Sequence, residues 1–120
     1  MNNDYLQLRV LPLDPDVYAT GQLFETDLKL VSEQGVKTVV NNRPDGETGG
    51  QPLAADLGAA AERLGMHYVY FPVVSGRMTV EEVQAFGKLL EGLEKPLLLF
   101  CRSGARSTIL YEAATDDSGD

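Results

Sequence analysis

The chain of 120 residues contains one cysteine, one histidine and no tryptophan. A single cysteine forms no internal disulfide, and one Cys with one His falls short of the four ligands of a tetrahedral zinc site. The fold must therefore rest on hydrophobic burial, for which a chain of this length suffices as one domain, and no metal or cofactor is expected. Such cysteine usage fits a reducing, cytoplasmic setting. Long apolar runs are also missing: nothing approaches a membrane span, and MNNDYLQLRV at the start lacks the basic flank and apolar stretch of a secretory signal. Positive charge is scarce, with 10 Lys+Arg against 18 Asp+Glu for a formal net charge of -8. An acidic surface of this kind repels nucleic acid and anionic lipid, so neither is expected as a partner without a local basic patch. One domain over 1–115 is expected, with DDSGD at 116–120 as a solvated acidic tail.

What is present alternates between short β-rich runs and helical stretches, the pattern of an α/β domain. Tyr5 to Leu11 and Val17 to Thr20 read as strands around LPLDPD, and Thr26 to Gln34 as a helix ended by Gly35. Val36 to Asn41 reads as a buried strand, Leu53 to Leu64 as a second helix, and His67 to Pro72 as the next strand. TVEE at 79–82 is a capping box, opening a helix whose buried stripe is Val83, Phe86, Leu89, Leu90 and Leu93. Leu97 to Phe100 is too apolar to face water on either side, as the centre of a parallel sheet requires, and Arg106 to about Ala114 closes the chain as a helix. The connection NNRPDGETGGQP, residues 41 to 52, is long for a compact domain, and such loops are disproportionately functional or mobile.

The lone cysteine sits in PLLLFCRSGARST, residues 96 to 108. Cys101 thus falls at the carboxyl end of a central strand, in the crevice where open α/β sheets bind ligands. Arg102, Ser103, Gly104, Ala105, Arg106 and Ser107 must turn sharply before the helix, and Gly104 lets backbone amides converge. Amides at a helix N-terminus bind anions and stabilise a thiolate, and Arg106 offers a bidentate fork to an oxyanion above the sulfur. A small anionic or phosphorylated substrate is the expected partner, whereas nothing in the residues fixes an oligomeric state.

The loop resembles two catalytic families. Cysteine-dependent phosphatases place five residues between Cys and Arg, and rhodanese sulfurtransferases place four. C-R-S-G-A-R-S, residues 101 to 107, has four, and on that count sulfur transfer leads. The wider succession YATGQ (18–22), GVKTVVNNRPDGETGGQP (35–52), LGMHYVYFPV (64–73), TVEEVQAF (79–86) and LLLFCRSGARS (97–107) resembles the phosphatase-like domain of bacterial beta-lactamase hydrolase-like proteins, over residues from about 8 to 111. The resemblance implies a compact cysteine-phosphatase-like fold, a mostly parallel central sheet flanked by helices. It also implies a nucleophile at Cys101 and an anion-binding arginine at Arg106.

Two departures stand out. Phosphatases usually carry His before the Cys, where this chain has Phe100, and FPVVSGRM, residues 71 to 78, offers no aspartic acid to protonate a leaving group. Loops after parallel strands open on one edge, so NNRPDG and VVSGRM should overhang the Cys loop. That makes Asp45 the best candidate acid, with Glu47 second, and Asp45-Gly46 otherwise a turn pair. The same placement suggests an anion-attracting rim of Arg43, Arg77, Arg102 and Arg106. His67 reads as structural. Phosphomonoester hydrolysis through a cysteinyl-phosphate is the expected chemistry, with a Cys101 persulfide as the alternative and a noncatalytic anion-binding module as a third.

Overall fold

A computed structural model of the protein describes residues 10–116. Most of the expected first strand and the end of the acidic tail lie outside the described residues. The order is β1 (Leu11–Asp14), β2 (Val17–Thr20), α1 (Glu25–Glu33), β3 (Thr38–Asn41), α2 (Ala54–Arg63), β4 (His67–Tyr70), α3 (Val80–Glu91), β5 (Leu97–Phe100) and α4 (Ala105–Ala114). The sheet runs β1-β2-β5-β3-β4, antiparallel only between β1 and β2. It is the mostly parallel α/β sheet expected. Among the described residues no helix is long and apolar enough to cross a membrane.

Side chains on a strand alternate between faces, and here both faces are covered. On one side Val39, Leu98 and Phe100 join Leu28 and Val31 of α1 and Leu57 and Ala61 of α2. On the other, Val40, Leu97 and Leu99 join Phe86 of α3 and Leu110 and Tyr111 of α4. This double cover is why LLLF of β5 is buried at all four positions. Each such large side chain contributes roughly 1.5–3 kcal/mol through burial.

The capping box forms as the residues predict: Glu82 N donates to Thr79 Oγ1 at 3.0 Å, and Thr79 N donates to Glu82 Oε1 at 2.9 Å. Of the expected stripe, Phe86 is fully buried and Val83, Leu89, Leu90 and Leu93 pack around it half-buried. The expected strand from Val36 is shorter, beginning at Thr38, although Val36 is itself a core residue.

Register matters most for the site. Phe100 pairs with Thr20 on one side and Asn41 on the other, so β2, β3 and β5 end at one level. Asn42 N then donates to the Phe100 carbonyl at 2.8 Å, and Phe71 N to the Asn41 carbonyl at 2.8 Å. The loops after these strands consequently open together on the carboxyl edge of the sheet. His67, at the opposite end of β4, is exposed and stands 3.4 Å from Glu94.

Candidate active site

Cys101 follows β5 directly and is 1% exposed. The chain reverses over the next three residues, and the reversal depends on Gly104, whose φ of 99° is left-handed. A side chain there costs roughly 1–2 kcal/mol in backbone strain, and its Cβ would lie 3.3 Å from the Thr20 carbonyl carbon. In this conformation Gly104 N donates to Cys101 Sγ at 3.1 Å. The Ser103 and Ser107 amides face the same sulfur. Helix α4 begins at Ala105, one residue earlier than the sequence suggests, with its positive end toward the thiol. From the turn after β2, Gln22 N donates to the Arg102 carbonyl at 3.2 Å, an approach close enough that a Cβ on Gly21 would lie 3.1 Å from that oxygen.

Burial opposes ionisation of Cys101, but hydrogen bonds from the Ser107 amide and hydroxyl and from the Ser103 and Gly104 amides outweigh it. The thiol is held below its ordinary value. The Ser107 hydroxyl has only one proton, and it lies 2.8 Å from Asn42 Oδ1. It reaches the sulfur only by turning from that acceptor, so the three amides carry the resting stabilisation. Asn42 is fully buried and fixed through its Nδ2, which donates to the Phe71 carbonyl at 2.9 Å.

Arg106 grips Glu47 with both arms, Nη1 to Oε2 at 3.0 Å and Nη2 to Oε1 at 3.1 Å, while Nη1 also donates to the Val73 carbonyl at 3.0 Å. Glu47 is shared: Arg43 Nε donates to its Oε1 at 2.9 Å. The Arg106 hydrogen bond holds the Glu47 carboxyl below its ordinary value; partial burial opposes this and Arg43 reinforces it. Cys101, Arg102, Arg106, Glu47, Met78 and Ile109 are among the residues lining a cavity of about 660 Å³ over the thiol.

The structure therefore brings together Cys101, Arg102, Ser103, Ala105 and Arg106 around that cavity, with Gly104 and Ser107 buried beneath it. It corrects two expectations. Arg43 is not a rim residue: it is 4% exposed, and its guanidinium is committed to Glu47, Gln22 Oε1 at 2.9 Å and Thr48 Oγ1 at 3.4 Å. Arg77, by contrast, is exposed beside Ser75, Gly76 and Met78, which line the cavity. Asp45 faces away, because its Oδ1 accepts the Ala54 amide at 2.8 Å. Helix α2 starts after Leu53, which has no side-chain oxygen to cap it, so Asp45 serves as its remote cap. The carboxylate lining the cavity is Glu47. Phe100, where phosphatases usually carry His, packs into the core.

Three residues escaped the sequence reading. Gln22 and Thr48 hold Arg43, and Asn42 holds Ser107. The adjacent pair Asn41-Asn42 at the end of a buried strand was a usable signal, since buried amides need partners.

The family model described as "Beta-lactamase hydrolase-like protein, phosphatase-like domain" matches residues 7–116. The beta-lactamase hydrolase-like protein of Agrobacterium fabrum is 32% identical over 104 residues, which are 87% of this chain and 24% of that protein. The chain thus spans about a quarter of the length of the curated relatives it matches. Two solved structures of candidate phosphatases share the fold. One, from Neisseria meningitidis, has a TM-score of 0.78 at 32% identity, covering 84% of this chain and 72% of its own. The other, from Shewanella putrefaciens, has a TM-score of 0.79 at 27% identity, covering 92% and 74%.

Proposed function

Because the chain belongs to the family of the phosphatase-like domain of beta-lactamase hydrolase-like proteins, we propose that it is a cysteine-dependent phosphatase acting on a phosphomonoester. The Cys101 thiolate attacks phosphorus, the ester oxygen departs with the bonding pair, and a cysteinyl-phosphate forms. Water then attacks that phosphorus, releasing phosphate and restoring the thiolate. Loop amides and the Arg106 guanidinium stabilise charge on the non-bridging oxygens. The observation that carries this reading is the thiol held at 3.1 Å by Gly104 N in the same cavity that Arg106 lines.

Glu47, the carboxylate in that cavity, is ionised while Arg106 holds it. It has no proton to give a leaving oxygen in this state. Substrates whose oxygen leaves unprotonated, aryl phosphates ahead of alkyl ones, suit the site best.

The four-residue spacing from Cys101 to Arg106 favours a second reading. A ring closed so tightly, with an amide already on the sulfur, suits a persulfide. In that chemistry the thiolate attacks the sulfane sulfur of a donor such as thiosulfate, sulfite leaves with the bonding pair, and the outer sulfur passes to a nucleophile. No proton donor is needed. Parallel assays decide between them: hydrolysis of an aryl phosphate, and thiosulfate-dependent thiocyanate formation, each with Cys101→Ser as control. Phosphate release lost in the variant supports the first reading. Thiocyanate formation alone, lost in the variant, replaces it with the second, and phosphate binding without either turnover leaves an anion-binding module.

A further inference from the structure

Strand β4 ends the sheet, and among the described residues no strand lies beyond it. Its inner edge is spent on β3: His67 N donates to the Lys37 carbonyl at 2.9 Å, and Phe71 N to the Asn41 carbonyl at 2.8 Å. Backbone groups alternate in direction along a strand, so the N–H and C=O of Tyr68 and Tyr70 point outward. Open edges are usually blunted by lysine, proline or a bulge. HYVY has neither lysine nor proline and keeps unbroken register with β3, and its aromatic and β-branched residues favour extended chain.

A cavity flanks this edge on each face of the sheet. Tyr68 packs with the core under α2, and Val69 and Phe71 with the core under α3. Toward α2, a cavity of about 440 Å³ lies between the two tyrosines and the small residues Ala55, Gly58 and Ala59. Gly58 brings the helix this near, since a Cβ there would lie 2.9 Å from the Tyr68 ring. Toward α3, a cavity of about 460 Å³ takes in His67, Val69, Leu93 and Glu94. Glu62 and Tyr68 line both. The rings are held in place beforehand: Asn41 Nδ2 donates to Tyr68 Oη at 3.0 Å, and Asp45 N to Tyr70 Oη at 2.9 Å.

We propose that β4 is a docking edge for an extended, basic peptide segment of a partner protein, which adds a sixth strand to the sheet. Main-chain bonds go to Tyr68 and Tyr70, and alternate side chains point to opposite faces, where each finds a cavity. Charge selects the occupant. The charged residues lining the two cavities are Asp45, Glu62, His67 and Glu94. Asp45 caps α2 and His67 stands beside Glu94, which leaves Glu62 exposed and without an ion pair among the described residues. A lysine or arginine of the incoming strand gives it one. A second copy of this chain fits worse, because it brings a formal charge of -8 and its own Glu62 to an acidic edge.

The test titrates the whole chain with the synthetic peptide KVTVTVK, and with EVTVTVE as its charge-reversed control, while backbone amide resonances are followed. KVTVTVK should shift the Tyr68 and Tyr70 amides saturably, slow their hydrogen exchange and bind several-fold more tightly than EVTVTVE. Glu62→Lys should weaken KVTVTVK by about two- to fivefold, as loss of an exposed ion pair does. Tyr70→Pro removes an outward N–H while sparing the β3 ladder, and should abolish binding; if it does not fold, Glu62→Lys carries the test alone. Absence of saturable shifts at Tyr68 and Tyr70, equal affinity for the two peptides, or a Glu62→Lys variant that binds KVTVTVK unchanged overturns the proposal. Sedimentation that shows a dimer of the unaltered protein, with the same two amides already protected, gives the edge to a second copy and overturns it as well.

Discussion

Ser107→Ala removes one hydroxyl beneath the thiol, and the structure says what that hydroxyl is worth. In the resting state Ser107 Oγ donates to Asn42 Oδ1 at 2.8 Å, a neutral hydrogen bond of about 0.5–1.5 kcal/mol. Turned to the thiolate it makes a bond to a charged group, about 1.5–3 kcal/mol. The gain specific to the thiolate is the difference, about 1 kcal/mol, or about a fivefold loss of thiolate in the variant at any pH below the thiol midpoint. A thiol of higher pKa is intrinsically more nucleophilic, which returns part of the loss. Iodoacetamide alkylation at a fixed low pH should therefore slow by roughly two- to fivefold, with the midpoint of the pH profile moving up. Stability should fall as well, by about 1–3 kcal/mol, because buried Asn42 loses a partner. A variant that loses stability but keeps the alkylation profile of the unaltered protein refutes the reasoning, since the hydroxyl would then be purely structural.

Three other substitutions probe the surrounding frame. Asp45→Ala should cost about 1 kcal/mol by uncapping α2 while leaving aryl phosphate turnover within about twofold; a large loss of turnover at unchanged stability would return Asp45 to the acid role. Gly104→Ala should cost at least about 1–2 kcal/mol through its positive φ and slow Cys101 alkylation as the amide leaves the sulfur, and chemical denaturation with an unchanged midpoint would contradict the strain. Tyr111 donates to Asp14 Oδ2 at 2.7 Å, and burial followed by that bond pushes its pKa from 10.0 up to about 12. A raised pKa contributes stability that is fully present below pH 10 and lost as pH rises through about 12. Tyr111→Phe should accordingly be less stable than the unaltered protein near neutrality, and the gap should close across that window; a gap independent of pH argues against the bond.

The parts legible in the sequence are those with local causes. LLLF before Cys101 can be buried on both sides only in the middle of a sheet, Gly104 marks the reversal, and TVEE names its own helix start. Parallel strand ends at Thr20, Asn41 and Phe100 follow from that topology, and with them the meeting of three loops. What stayed hidden depends on which partner a side chain finds in three dimensions. Asp45 and Glu47 are two residues apart in one loop, yet one turns to the uncapped start of α2 and the other to Arg106. The absence of a side-chain oxygen on Leu53 was the available hint to the first. Arg43 and Glu47 stand at a spacing that pairs on helices, but in a loop that spacing carries no geometry, so the ion pair was not readable. Charge counting placed Arg43 at the surface because arginines are seldom buried unless paired. Here it is paired.

The central claim is that Cys101 is an activated thiolate in an anion-binding loop, and one measurement addresses it directly. Alkylation of Cys101 by iodoacetamide, followed by mass across pH with and without inorganic phosphate, should give a midpoint well below the value of about 8.5 for a free thiol. Phosphate should slow the reaction by occupying the loop. A profile like that of free cysteine, with no protection by phosphate, would contradict the account.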